Sequence, residues 1–390
     1  MTSAIRRAVS SVAMAWMAYS LWASLPKLVR GATSSARRQS SSDGYDDNYV
    51  VRTDADYVTV LIPARNEALR LRPTLDALRA MPQVGEIIVI DDQSTDDTAK
   101  IAADAGATVI QGEPLPPGWV GKPWALQQGL THVNTRRVAA IDADARPSKD
   151  LFTLLLAEMS RTGSIAVCAN GALRTTSTLH AAVQSSLLAT LIYRFGAPRL
   201  IDSSTAPSDV VANGQCMLFD TQDFKAVGGF ALSGAHMTDD VALVRELHRL
   251  GRCVGSIDAT DCLVVDMYDS PRETISGWTR SLLFPGVAST AEQNRTLAVV
   301  GGYSIAPLAA LLVGTSSRSA RLLVALTYAL RIGTALGSRR AIADQRAGVV
   351  LSPLLDAVTW LALVRARLRP QLTWRGRAYA SSMLEQTESQ

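Results

Sequence analysis

The chain has 390 residues, 47% of them apolar and 19% charged, with a mean hydropathy of +0.12. This excludes a disordered chain, which could not bury enough apolar area to offset the entropy of ordering. Four cysteines without CxxC or Cys/His spacing also exclude a disulfide-stapled mini-domain and a zinc module. The net charge of +4 is unevenly spread: residues 1–38 hold six Lys/Arg and no acid, residues 318–390 hold eleven against four, and the middle carries a net −9. Basic flanks around apolar segments fit an anionic membrane surface and argue against nucleic acid as a partner.

Taken in chain order, Ala8–Pro26 has no charged side chain and carries Trp16, Tyr19 and Trp22; Arg6 and Arg7 precede it, and Lys27 and Arg30 follow. Near-spanning length and the bases beyond it favour a retained membrane anchor over residues 1–30 rather than a cleaved signal peptide. Residues 31–56, rich in Ser, Asp and Arg, read as a linker. From Tyr57 strands at 57–62, 86–90, 107–111, 138–141 and 165–170 alternate with helices at 70–81, 95–105, 123–132 and 149–160. The alternation predicts an α/β body with a mainly parallel sheet, which binds ligands at the carboxyl ends of its strands.

Three polar clusters fall at those ends: Pro63-Ala64-Arg65-Asn66-Glu67, Asp91-Asp92-Gln93-Ser94-Thr95-Asp96-Asp97 and Asp142-Ala143-Asp144. Each alone is ordinary turn and N-cap chemistry. Together they describe one acidic cleft. In an extended backbone Asp142 and Asp144 point to the same side. Two carboxylates so placed call for a divalent cation, Mg2+ or Mn2+. Lys122 follows the Pro/Gly-rich loop 112–121 at a helix start, where phosphate is welcome. Thr238 is set to cap a helix running to Leu250, with Asp239 and Asp240 in its first turn. Acids there suit the helix dipole, and Asp240 could take a proton from an acceptor hydroxyl if the helix starts at the cleft. Arg280, on an amphipathic helix over 272–284, either neutralises a departing diphosphate or anchors the interface.

Three further apolar stretches follow. Thr296–Ser317 is uncharged, Leu322–Gly337 is interrupted only by Arg331, and Ala347–Val364 carries Pro353 and Asp356. An outside N-terminus would put the body in the cytoplasm, but four full spans would place Arg365, Arg367, Arg369, Arg375 and Arg377 outside. One segment is then re-entrant or interfacial, or the N-terminus does not span. No GxGxxG follows the first strand, which counts against an NAD(P) dehydrogenase; the lack of any Gly-rich phosphate loop there counts against a nucleotidyltransferase. A catalytically silent membrane scaffold remains as the non-enzyme alternative.

The ordered set of motifs over residues 57–284, closed by Asp239-Asp240-Val241-Ala242-Leu243, resembles family 2 glycosyltransferases of the GT-A fold, a Rossmann-like mixed sheet. Pro117-Gly118-Trp119-Val120-Gly121-Lys122-Pro123-Trp124-Ala125 and the tail Thr373-Trp374-Arg375-Gly376-Arg377-Ala378-Tyr379 are similar to a membrane-associated branch acting on carotenoid or hopanoid-type lipids. The resemblance implies that Pro63, Arg65, Glu67 and Asp92 hold the base and ribose of a UDP- or GDP-sugar. It implies Asp144, supported by Asp142, as the site of the divalent cation, and Asp240 as general base beside Asp239. No Gln-x-x-Arg-Trp is present; Gly277-Trp278-Thr279-Arg280 stands in its neighbourhood, so a single transfer to a lipid acceptor is expected rather than polymer synthesis. Residues 285–390 would be membrane-associated helices and a basic tail.

Overall fold

Apolar runs set the strands. Val58–Ala64 buries all but one of its side chains and Val84–Asp91 its last five, so both lie inside a sheet covered on two faces. The computed structural model describes residues 3–41, 57–314, 317–369 and two short strands at 373–374 and 377–378, with side chains over 4–29, 57–314 and 317–369.

In chain order the elements are α1 (Ser3–Ser41), β1 (Val58–Ala64), α2 (Leu71–Arg79), β2 (Val84–Asp91), α3 (Thr98–Asp104), β3 (Thr108–Gln111), α4 (Gly121–Thr131), β4 (Arg137–Ile141), β5 (Ala145–Pro147), α5 (Leu151–Thr162), β6 (Ala166–Asn170) and β7 (Ala172–Leu173). There follow α6 (Thr178–Phe195), β8 (Cys216–Asp220), α7 (Thr221–Ala226), α8 (Asp239–Arg249), β9 (Val254–Asp258), β10 (Leu263–Val265), α9 (Pro271–Ser281), α10 (Thr290–Leu312), α11 (Arg318–Gly337), α12 (Asp356–Leu368), β11 (Thr373–Trp374) and β12 (Arg377–Ala378). α1 takes in the start of the stretch expected to be a linker; residues 42–56 lie outside the described ones, as do Arg375, Gly376 and Tyr379 of the tail motif.

The chain folds into two compact units that interleave along the sequence. One comprises Arg38–Leu173, Pro198–Met267 and Leu372–Gln390; the other comprises Met1–Arg37, Arg174–Ala197 and Tyr268–Gln371. The first is built on a seven-stranded sheet of order β3-β2-β1-β4-β8-β6-β9, beside a small sheet β5-β10-β7. Leu61, Ile88, Ile90, Leu126, Phe219 and Val244 form part of its core. The sheet is mainly parallel, as expected, and becomes mixed at its centre, where β8 pairs antiparallel with both β4 and β6. The intervening α6 belongs to the other unit, so no βαβ crossover forces β8 parallel. The amino end of β8 therefore meets the carboxyl end of β4, with Ile141 opposite Cys216. Cys168, Cys216 and Cys262 are buried free thiols whose pKa values burial pushes up, which makes them inert packing groups.

The helical unit contains α1, α6 and α9–α12. Among the described residues, four helical stretches are long and apolar enough to cross a membrane: Ala4–Val29, Thr290–Leu312, Arg318–Gly337 and Arg346–Leu368. The last is not uniform, because Arg346–Leu355 is a 3-10 helix containing Pro353 and only Asp356–Leu368 is α-helical. The apolar α6, which periodicity in the sequence body had not singled out, is mostly buried.

Candidate active site

The loops after β1 and β2 are stitched together. Asn66 and Gln93 both adopt left-handed backbone, with φ of 55° and 57°. The Asn66 amide nitrogen donates to Ser94 Oγ at 3.0 Å, and Thr95 N donates to Asn66 Oδ1 at 2.8 Å. Arg65 Nη1 donates to the carbonyl of Asp92 at 2.5 Å and lies 4.0 Å from its carboxylate. The backbone N of Glu67 donates to Thr98 Oγ1, and its carboxylate lies 4.0 Å from Arg70. Pro63 is paired within β1, opposite Ile90. Asp96 accepts from Ala68 N and from Thr98, so it joins the two loops, whereas Asp97 stands at the N-cap of α3 without a capping bond. The first two motifs thus form one rigid rim at the ends of adjacent strands.

The third motif departs from expectation. Asp142 to Ala145 is a hydrogen-bonded turn, Ala145 N donating to Asp142 O at 3.1 Å, so the aspartates do not share one side of an extended strand. β5 begins at once, and the chain must reverse to enter the small sheet. Thr74 on α2 fixes the turn, its hydroxyl lying 2.7 Å from Ala143 O and 2.6 Å from Ala145 O. Asp144 is buried, and its carbonyl accepts from Asp266 N.

Lys122 joins Asp142 to the start of α8. Its Nζ lies 2.6 Å from Asp142 Oδ1 and 3.9 Å from Asp239 Oδ2, with its side chain 18% exposed. The preceding loop places it: Val120 N donates to Gly234 O at 2.7 Å, Trp119 packs edge-on against Trp124, and a Cβ on Gly234 would meet the Trp119 ring. A cation near the N-terminus of α4 opposes the helix dipole, so the aspartates must hold it there. Burial alone would favour the neutral amine, but Asp142 and Asp239 outweigh it and keep the Lys122 pKa above the ordinary lysine range.

Asp240 is clamped at both oxygens: Gly214 N donates to Oδ2 at 2.9 Å and Val241 N to Oδ1 at 2.8 Å. A Cβ on Gly214 would fall 2.8 Å from Asp240 Cβ, so only glycine permits this approach. Thr238 occupies the N-cap of α8 but its hydroxyl makes no hydrogen bond; Asp240 caps the helix from inside. Burial pushes the Asp239 carboxyl up to about 7, against the pull of Lys122 and with a contribution from Asp240. Burial raises Asp240 as well, while Lys122 and the two backbone donors oppose the rise.

The structure brings Lys122, Asp142, Asp239 and Asp240 together, and separately Arg65 with Asp92. Arg280 lies in the last turn of α9, in the helical unit. Sequence reasoning missed Gly214 and Thr74; Asn213-Gly214-Gln215 before an apolar run was the only signal for the first. Among the described residues no three His, Cys, Asp or Glu side chains converge as a ready metal cage. Asp142 and Asp144 offer two carboxylates, the number a magnesium-type ion takes when substrate phosphates supply its other ligands. The ammonium seated on Asp142 marks that strand end as a place for positive charge.

A mixed sheet with acids at its strand ends, closed by an acid-tipped helix, is the architecture of the GT-A fold. Residues 59–228 match the profile of Glycosyl transferase family 2, and the protein is a glycosyltransferase. It is 25% identical to a 4,4'-diaponeurosporenoate glycosyltransferase of Staphylococcus aureus (strain USA300) over 335 residues, 83% of this chain and 88% of that one. The same enzyme from the bovine strain RF122 / ET3-1 is 26% identical over 228 residues, 58% of this chain and 60% of that one. Among solved structures, the mannosyltransferase PcManGT of Pyrobaculum calidifontis, in complex with GDP-Man and Mn2+, superposes with a TM-score of 0.53 at 18% identity. That match covers 93% of this chain and 99% of that one.

Proposed function

We propose that this glycosyltransferase moves one sugar, with inversion, from a UDP- or GDP-sugar to a hydroxyl or carboxyl of an isoprenoid, carotenoid-like lipid, with its catalytic unit facing the cytoplasm. The observation that carries the reading is the cluster of Lys122, Asp142, Asp239 and Asp240 at the carboxyl end of β4. A hydroxyl acceptor holds its proton too tightly to attack at neutral pH, and Asp240, held rigid by Gly214 and Val241, is the base that takes it. A carboxylate acceptor would attack without that step. Lys122 meets the negative charge that grows on the departing diphosphate. Asp144 and Asp142 would hold Mg2+ or Mn2+, which acts as a Lewis acid on that diphosphate.

Pro63, Arg65, Glu67 and Asp92 form the rim for the base and ribose. Four spanning-length helices supply the route for an acceptor that barely dissolves in water, and the staphylococcal relatives are named for a carotenoid-type substrate. Residues 57–284 are taken as the functional GT-A domain, residues 1–30 as anchor, 31–56 as linker and 285–390 as membrane-associated region. The test is transfer from radiolabelled UDP- and GDP-sugars to lipid in membranes containing the full chain, with and without EDTA. Label in the lipid fraction that EDTA abolishes and Mg2+ or Mn2+ restores supports the reading; transfer indifferent to EDTA removes the metal from it.

A further inference from the structure

We infer that the cleft between the end of α11 and the 3-10 helix Arg346–Leu355 is a binding site for the headgroup phosphate of an anionic membrane phospholipid. The inference rests on the membrane association of the helical unit and is independent of sugar transfer. The cavity measures about 550 Å³, and Arg339, Arg340 and Arg346 line it together with Leu336, Val349 and Val350. Guanidinium groups gathered at one opening favour an anion there, and the planar fork of arginine suits phosphate.

The one acid of this loop, Asp344, is engaged elsewhere. Its carboxylate lies 3.5 Å from Arg174 Nε, and its carbonyl accepts from Thr175 Oγ1 at 2.9 Å. Arg346 spends only its inner nitrogen on the chain, Nε donating to Ile342 O at 3.0 Å. The floor is fixed rather than adaptable. Val349 and Ile342 pack with Ala181 and Ala335 in one buried cluster, and a Cβ on Gly348 would lie 2.2 Å from Thr178 O. Gln345, at a φ of 56°, turns the chain so that Arg346 faces the same opening as Arg339 and Arg340. The rim is apolar and open, with Leu336 49% and Val350 63% exposed. An apolar rim beneath a ring of arginines, at the end of a helix long enough to span a bilayer, fits a phosphate that arrives with acyl chains and not one free in water.

The test titrates phosphatidylglycerol, phosphatidylcholine or inorganic phosphate into the full chain in neutral detergent, reading retained lipid by native mass spectrometry and thermal stabilisation in parallel. Phosphatidylglycerol is expected to bind and stabilise where phosphatidylcholine does not. Arg339→Gln with Arg346→Gln should weaken it about 25-fold, roughly fivefold per charge. Arg318→Gln with Arg321→Gln, two exposed bases at the other end of α11, should leave it unchanged within about twofold. Equal weakening by both pairs would mean diffuse surface attraction and overturn the site. Stabilisation by inorganic phosphate to the same extent would overturn the lipid as occupant. If the glutamine pair fails to fold, Arg339→Lys with Arg346→Lys keeps the charge but removes the fork; unchanged lipid retention there would also overturn the proposal.

Discussion

In the sheet unit one cation, Lys122, faces three carboxylates, Asp142, Asp239 and Asp240. In the helical unit one cation, Arg331, faces one carboxylate, Asp356. The second pair is nearly saturated: Arg331 Nε and Nη2 donate to the two oxygens of Asp356 at 2.6 and 2.8 Å, Nη2 also reaches Ser352 Oγ, and Ser186 Oγ donates to Asp356 at 2.7 Å. Arg331 is fully buried, and only its Nη1 lacks a partner. The first cluster carries surplus negative charge and remains partly open, with Lys122 18% and Asp142 26% exposed. A balanced, dry pair holds segments in register; an unbalanced, accessible one is set to receive something positive or a transferable proton.

The comparison can be broken most directly at Asp240. Asp240→Asn is expected to lower turnover with a hydroxyl acceptor by 10²–10⁴-fold, while calorimetry shows donor binding nearly unchanged because other residues hold the donor. Loss of donor binding would remove Asp240 from the role of base. The helical pair is tested next. Arg331→Met leaves Asp356 buried and unpaired and should cost about 3–5 kcal/mol, whereas Arg331→Met with Asp356→Leu should recover most of it. Thermal unfolding in detergent reads both, and a single variant as stable as the parent would mean that the pair is hydrated.

Lys122→Met sharpens the contrast through pH. The lysine charge holds down the raised pKa values of Asp239 and Asp240. A base must be ionised to act, so activity falls as pH drops through its pKa. Removing Lys122 should therefore move the acidic limb of kcat/KM to higher pH, with an overall loss of about tenfold. A limb that stays put or moves down would mean that Lys122 does not act on the base. The smallest effect is expected at Thr74→Val, which frees the Asp142–Ala145 turn: about 1 kcal/mol of stability and a rise in KM for the donor with little change in kcat.

Much of this was legible beforehand. Periodicity located β1, β2, β3, β4 and β6 to within about two residues, because buried strands and amphipathic helices write their burial into local spacing. The acids at 142, 144, 239 and 240 and Lys122 stood out together, because clusters at successive strand ends and helix starts exceed what turn and N-cap chemistry asks of each alone. What escaped was non-local. The direction of β8, the close approach of Gly214 to Asp240, and the anchoring of the Asp142 turn by Thr74 each join residues 26 to 83 positions apart. Arg331 and Asp356 were both visible as charges inside apolar segments, yet nothing in their spacing said that they pair.

The sequence by itself determined the α/β body, the apolar helices and the acidic strand ends, since each is a local pattern of burial and charge. Only the tertiary structure decided which charges meet: Lys122 with Asp142 and Asp239, Arg331 with Asp356, and three arginines around one cleft. Electrostatic energy depends on distance in space and on desolvation, and chain packing fixes both after local propensity has had its say.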